Sequence, residues 1–218
     1  MMRLLFIVIG YIFGLFQTCY FYGKLTHVDL TKEGSGNTGA TNALRVMGLK
    51  HALVIFFFDA LKAFLPVFAA RMLFRGQPTE YVMAAYAAVG VILGNDFPFF
   101  LKFKGGKGVA ATAGWVLAMD WRIFLIGITI FFAIAFATRY VSVASITIAF
   151  VTVGLHVLFA LTGLITIPSP EIIEFFIVIP LISLLLIVRH GGNIKRLLNG
   201  TENRFGKKKE EKADDQKP

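Results

Sequence analysis

Apolar residues along this chain collect into long unbroken runs instead of alternating with polar ones. Six runs, at about 3–23, 51–70, 80–100, 121–138, 143–164 and 171–190, approach the length a spanning helix needs, about 20 residues. A shorter apolar run, Val109 to Met119, reaches roughly 17 Å at helical rise. It is either a short helix whose preceding loop sinks into the membrane or a re-entrant segment. Counting it gives seven helices; omitting it gives six. Pro66 and Pro180 fall inside runs and predict kinks.

The first run, Leu4 to Phe21, imitates a secretion signal, but only Arg3 precedes it and no small-residue cleavage site follows. It is read as a retained helix. The lone Cys19 inside it has no intramolecular disulfide partner and no His nearby in sequence, which fits packing.

Composition agrees with the pattern. Of 218 residues, 56% are hydrophobic and 16% charged, with a mean hydropathy of +0.71, the profile of an integral membrane protein. Charge then decides the helix count. With seven helices, Lys24, Lys32, Arg45, Lys50, Lys102, Lys104, Lys107, Arg139 and every basic residue from Arg189 onward fall on one side. Only Arg3, Arg71, Arg75 and Arg122 fall on the other, and Lys62 lies within a helix. Dropping the short helix would move Arg139 and the basic tail across the membrane. The positive-inside rule therefore predicts an all-α membrane protein of seven transmembrane helices, N-terminus outside and C-terminus cytoplasmic. The helical domain covers 1–202, and the lysine- and acid-rich tail 203–218 is expected to be disordered, with Lys207-Lys208-Lys209 near membrane lipid as one option and plain solvation as the other. The net charge of +9 follows this topology and forms no basic domain, so nucleic acid is not an expected partner.

Three polar clusters fall on the basic side. The first runs from Gly34, Ser35, Gly36 and Asn37 through Thr38, Gly39 and Ala40 to Thr41, Asn42 and then Arg45. Its hydroxyls, amides and glycine N–H groups can wrap a phosphate without a metal, and Arg45 can add a bidentate fork. The second is Lys104-Gly105-Gly106-Lys107-Gly108, preceded by Gly94-Asn95-Asp96-Phe97-Pro98. Its two ammonium groups and open glycine backbone suit an anion; a plain positive loop between helices has the same composition. The third is His190, Gly191, Gly192, Asn193, Ile194, Lys195 and Arg196. If the helix continues, His190, Asn193 and Arg196 share a face, although two glycines weaken it. Arg139 to Ser145 turns on the same side and offers Ser142 and Ser145. Asp59 and Lys62, three apart within a helix, can neutralise each other, and His156 reads as packing. No His/Cys spacing fits a metal, and no cofactor is expected.

With these three motifs in order, from roughly Tyr11 to Phe205, the chain resembles the PlsY family of bacterial membrane acyltransferases. Phe57 to Lys62 and Arg139 to Ser145 also look like family segments. Four positions depart: Asn95 stands where His is usual, Gly191-Gly192 where an Arg and a polar residue are usual, and Leu15 where a small Ser is usual. The resemblance implies transfer of a fatty acyl group from acyl-phosphate to the sn-1 hydroxyl of glycerol 3-phosphate. The products would be 1-acylglycerol 3-phosphate and phosphate, made at the bacterial inner membrane with a functional link to a soluble acyl-phosphate-producing enzyme. It assigns catalysis to His190, Asn193 and Ser35. Phosphate binding would fall to Gly34, Ser35, Gly36, Asn37, Thr41, Asn42, Arg45, Lys104, Gly105, Gly106, Lys107, Ser142 and Arg196.

No His has an Asp five positions on, so the base-and-orienter pair of the other glycerol-phosphate acyltransferase class is absent. Direct transfer is expected, with either His190 or a substrate phosphate oxygen taking the proton. The rival readings are a transporter of a phosphorylated solute and a catalytically weakened regulatory paralogue.

Overall fold

The structure is a computed structural model that describes residues 1–204. Among those residues it is built of ten α-helices: α1 (Met2–Gly14), α2 (Thr18–Thr26), α3 (Ala40–Val46), α4 (Leu49–Leu73), α5 (Glu80–Asp96), α6 (Val109–Met119), α7 (Trp121–Thr138), α8 (Val141–Leu161), α9 (Glu171–Arg189) and α10 (Gly191–Leu198). A single 3₁₀ turn, Phe99–Leu101, follows α5. Six segments are long and apolar enough to cross a membrane, and α6 is the shorter apolar helix. α4 and α9 continue through Pro66 and Pro180. Of the expected tail, only Asn203 and Arg204 are described, and Arg204 donates to the Tyr140 hydroxyl at 2.9 Å. The run Lys207-Lys208-Lys209 lies outside the described residues.

The first apolar run is not one helix. It breaks at Gln17, where φ −89° and ψ 88° leave the helical region. Two side chains make the break tolerable. Gln17 Nε2 donates to the carbonyls of Gly14, Gly94 and Asn95, and Lys62 Nζ donates to the carbonyl of Phe16 at 2.7 Å. In hydrocarbon an unpaired carbonyl costs several kcal/mol, so a break survives only where the protein supplies donors. The apolar pattern could not reveal it.

α5 forms the centre. α1 crosses it closely through small residues: a Cβ added at Gly90 would lie 2.1 Å from the Ile7 carbonyl, and one at Gly10 would lie 2.2 Å from that of Ala87. With little hydrophobic drive between helices inside a bilayer, such close backbone packing is a main source of association. α6 packs on α4 the same way, through Gly114 against the Ala60 carbonyl. Trp115, Met119 and Phe175 are buried in the core beside His156, which donates from Nδ1 to the Thr152 carbonyl at 2.7 Å. This agrees with the packing role expected for His156.

The two ends of the bundle differ in charge. At the end away from the motifs, the arginines meet acids: Arg3 with Glu174, Arg71 with Glu80 at 2.8 Å, and Arg122 with Asp120 at 2.7 Å. At the other end, cations outnumber their partners.

Candidate active site

The first cluster is a loop leading into α3. Gly34 has φ +62°, and a Cβ there would strike Asn42 Oδ1 at 2.3 Å. That space belongs to Asn42. Its Oδ1 accepts from Ser35 N at 2.8 Å and Ser35 Oγ at 3.0 Å, and its Nδ2 donates to the carbonyls of Leu30 and Glu33. The amide of Asn42 is therefore used up in holding the loop, and Ser35 is left exposed at its tip. Asn37 Oδ1 and Thr38 Oγ1 are buried without a hydrogen-bond partner. Thr41 is half-buried and Arg45 exposed.

The second cluster corrects an expectation. The N–H groups of Gly105 and Gly106 are not open to a phosphate: they donate to the carbonyls of Asp96 and Asn95, at 3.1 and 3.0 Å. A Cβ at Gly105 would lie 2.1 Å from the Asn95 carbonyl oxygen. These glycines are small so that the loop can lie against the end of α5. Their own carbonyls accept from the Arg189 guanidinium at 2.8 to 3.1 Å. The loop is thus clamped between α5 and α9, and its lysines are what it presents. Lys104 is exposed, and its ammonium has no protein partner among the described residues. Lys107 Nζ donates to Asn193 Oδ1 at 2.5 Å.

The third cluster departs from the continuous helix that would put its residues on one face. α9 stops at Arg189, and His190 caps α10 by accepting from Asn193 N and Ile194 N. His190 points back along α9, with Nδ1 at 2.8 Å from the Leu186 carbonyl. Because a carbonyl only accepts, Nδ1 carries the proton and Nε2 keeps its lone pair. Burial, with repulsion from Lys107 and Arg189, lowers the imidazole pKa to about 4. Asn193 lies between Lys107 and Glu202: its Nδ2 donates to Glu202 Oε1 at 2.8 Å. Arg196 Nε donates to Glu202 Oε2 at 2.7 Å, and the Ser142 hydroxyl is buried without a hydrogen bond of regular geometry.

This chain of contacts is electropositive. Burial, then repulsion by Arg196, Arg45 and Arg189, lowers Lys107 to about 8, against the attraction of Glu202. Burial works to raise Glu202, yet its bonds from Asn193 and Arg196 prevail and hold it below the usual carboxylate range. Lys107, Asn193, Arg196 and Ser142 therefore gather with His190, and Arg45 lies within electrostatic reach of them. Ser35, Gly36 and Lys104 are exposed and make no hydrogen bond to this group; Ser35 bonds to Asn42 instead. Glu202 and Arg189 are parts of the site that motif reading overlooked. Glu202 stands nine residues past Asn193 at the last position of the helical domain, outside all three motifs, and Arg189 enters the sequence reading only as a topology charge.

Beneath the glycine-lysine loop, a recess of about 70 Å³ opens between α4, α6, α7 and α8, with Val109, Ala113, Gly127 and Phe131 among its walls. The recess is apolar, and several of its walls are half-exposed on the outer surface of the bundle.

Known proteins resemble this chain over nearly its whole length. A family description, glycerol-3-phosphate acyltransferase, matches residues 4–200. A protein of that name from Thermotoga petrophila is 36% identical over 201 residues, covering 92% of this chain and 95% of the relative. Another from Alkaliphilus metalliredigens is 38% identical over 95% of this chain and 98% of its own length. The crystal structure of PlsY, an integral membrane glycerol 3-phosphate acyltransferase, in its glycerol 3-phosphate form superposes with a TM-score of 0.81 at 35% identity, covering 94% of this chain and 96% of that one. Its lysophosphatidic acid form gives 0.79 at 34% identity, covering 94% of this chain and 95% of that one. Near-complete coverage of these relatives, together with six helices fit to span a bilayer, makes this chain an integral membrane protein of the glycerol-3-phosphate acyltransferase family.

Proposed function

We propose that this protein transfers a fatty acyl group from acyl-phosphate to the sn-1 hydroxyl of glycerol 3-phosphate. The acyltransferase activity and its glycerol 3-phosphate acceptor follow from family membership. The acyl-phosphate donor, its supply by a soluble enzyme, and a place in the bacterial inner membrane are this reading's own additions. So is the seven-span topology, with α6 as the short crossing, the N-terminus outside and the motif end and tail 203–218 in the cytoplasm.

The observation that carries the reading is the contact chain Lys107–Asn193–Glu202–Arg196, with Arg45 and exposed Lys104 beside it. It holds more positive than negative charge and keeps ammonium donors free. Such a site suits two phosphorylated substrates and offsets the charge that builds on the leaving phosphate. An acyl-phosphate is already activated, so the protein's main task is to orient the two reactants. The hydroxyl oxygen bonds to the acyl carbon, the carbon–oxygen bond to phosphate breaks, and the hydroxyl proton ends on the released phosphate.

His190 supports this route in a specific way. With its pKa near 4 it is neutral at physiological pH, and Nε2 can accept a hydrogen bond from the glycerol hydroxyl. As a final proton acceptor it is weaker than a phosphate dianion. We therefore assign His190 to orienting the hydroxyl and the phosphate oxygen to taking the proton. Asn193 aligns Lys107, Ser35 contacts a phosphate from its loop tip, and Asn42 positions that loop. The apolar recess under Val109 receives the acyl chain.

The test is direct. Purified protein in nanodiscs, given glycerol 3-phosphate and hexadecanoyl-phosphate, is expected to release phosphate and lysophosphatidic acid in equal amounts, and acyl-CoA is expected to replace the donor poorly. Turnover with acyl-CoA alone would overturn the donor assignment.

A further inference from the structure

We infer that Gly127 determines the acyl-chain length this protein accepts, by leaving a lateral port in α7 through which long chains pass from the recess into the bilayer. The inference rests on the acyl-transfer reading and names the part of it that selects the donor.

The recess begins close to the cationic site in the chain. Val109 opens α6 two residues after Lys107, and Val109, Thr112, Ala113 and Val116 repeat at helical spacing down one face of α6. From Val109 to Val116 the helix descends roughly 10 Å. There Val116, 5% exposed, and Phe124 close the deep end. A longer chain cannot continue straight down and must leave sideways.

α7 supplies the opening. Gly127 lies between Phe124, three residues before it, and Phe131, four residues after it, so the two rings frame it on one face. A Cβ added at Gly127 would meet no neighbouring atom within 4 Å. This separates it from Gly10, Gly90 and Gly114, where the missing side chain admits a neighbouring helix backbone. Gly weakens a helix interior, and in α7 no packing contact accounts for it. Gly154 is likewise free of neighbours but does not line the recess. Among the described residues, Gly127 alone combines empty space, a place in the recess wall and half-exposure on the bundle surface. A free hydrocarbon chain fits that combination, and a recess that opens at Val109, two residues from Lys107, points to the chain of the phosphorylated donor.

The test compares kcat/KM for octanoyl- and hexadecanoyl-phosphate in nanodiscs, using the full chain. Gly127→Leu places a branched side chain in the port and is expected to lower the hexadecanoyl-to-octanoyl ratio by about tenfold, a discrimination typical of an apolar pocket. Gly127→Ala should lower it by about two- to threefold, which keeps the question open to measurement if the Leu variant does not fold. Ala113→Leu, higher in the recess, should reduce both donors alike. An unchanged ratio in a folded Gly127 variant overturns the inference and makes the recess a seat for bilayer lipid. Wild-type protein inert with both donors overturns the acyl-transfer reading and the inference together; an active wild type with an unmoved ratio overturns the inference alone.

Discussion

Among the described residues, two lysines donate to the side-chain oxygen of an asparagine, and they do opposite work. Lys62 Nζ has three acceptors: Asp59 Oδ1 at 2.6 Å, the Phe16 carbonyl at 2.7 Å and Asn95 Oδ1 at 2.8 Å. An ammonium has three donors, so Lys62 is saturated. Thr18 adds a bond to Asp59, and Asn95 Nδ2 passes the polarity on to Asp96. Lys107 has one acceptor, Asn193, and stands among other cations. The first lysine is a closed joint where α1, α2, α4 and α5 meet. The second keeps donors in reserve, and its unfavourable surroundings are relieved when an anion arrives. A charge inside a membrane protein is a functional candidate only when its hydrogen-bonding capacity is unfilled.

The hardest way to break this comparison is to remove Lys62. Lys62→Met leaves Asp59 buried without its counter-charge, a loss of about 3–5 kcal/mol. The variant is expected to unfold at lower temperature or fail to insert, read by thermal unfolding in detergent. Asp59→Asn combined with Lys62→Met should recover part of that loss, since neither partner is then left charged. A Lys62→Met protein as stable as wild type would show that the joint is not structural.

Lys107→Ala and Arg45→Ala are expected to do the reverse, keeping the unfolding temperature and losing activity. Each removes a charge-assisted contact of about 1.5–3 kcal/mol, roughly ten- to a hundredfold in kcat/KM if it is felt in the transition state. Full activity at both positions would move the phosphate site elsewhere.

Titration sharpens the contrast further. Lys107, lowered to about 8, is charged below that pH and loses its proton as pH rises through it. KM for glycerol 3-phosphate should therefore climb above about pH 8, by up to tenfold per pH unit. In Lys107→Arg the climb should vanish, because a guanidinium stays charged. His190, lowered to about 4, should give no break between pH 6 and 7. A break there, abolished by His190→Gln, would restore His190 as the proton acceptor.

The smallest effect is expected at Gly192. It lies in the first turn of α10, and a Cβ there would come no closer than 3.6 Å to Arg196 Nη1. Gly192→Ala should be tolerated or slightly stabilising, by up to about 1 kcal/mol. Loss of activity as complete as in His190→Ala would mean that the glycine itself contacts a substrate.

The departures from the family pattern read differently in three dimensions. Asn95 sits inside the closed joint, accepting from Lys62 and donating to Asp96, so it is remote in role from proton transfer. Gly191 and Gly192 are exposed at the start of α10 and do not disturb the hold of Asn193 on Lys107 and Glu202. Neither change empties the site.

Sequence alone determined the membrane class, the six long apolar spans and α6, and the three polar clusters. Hydrophobic run length and charge placement are local properties, readable without knowing what packs against what. The chemistry of each polar residue was decided by tertiary contacts. The break at Gln17 exists because Lys62 and Gln17 reach carbonyls across helices. The N–H groups of Gly105 and Gly106 turn inward because the end of α5 offers acceptors. Glu202 enters the site because Asn193 and Arg196 fold back to meet it. Whether a buried donor is filled or left open depends on groups dozens of residues away. That pairing is where a closed lysine and a working one part company.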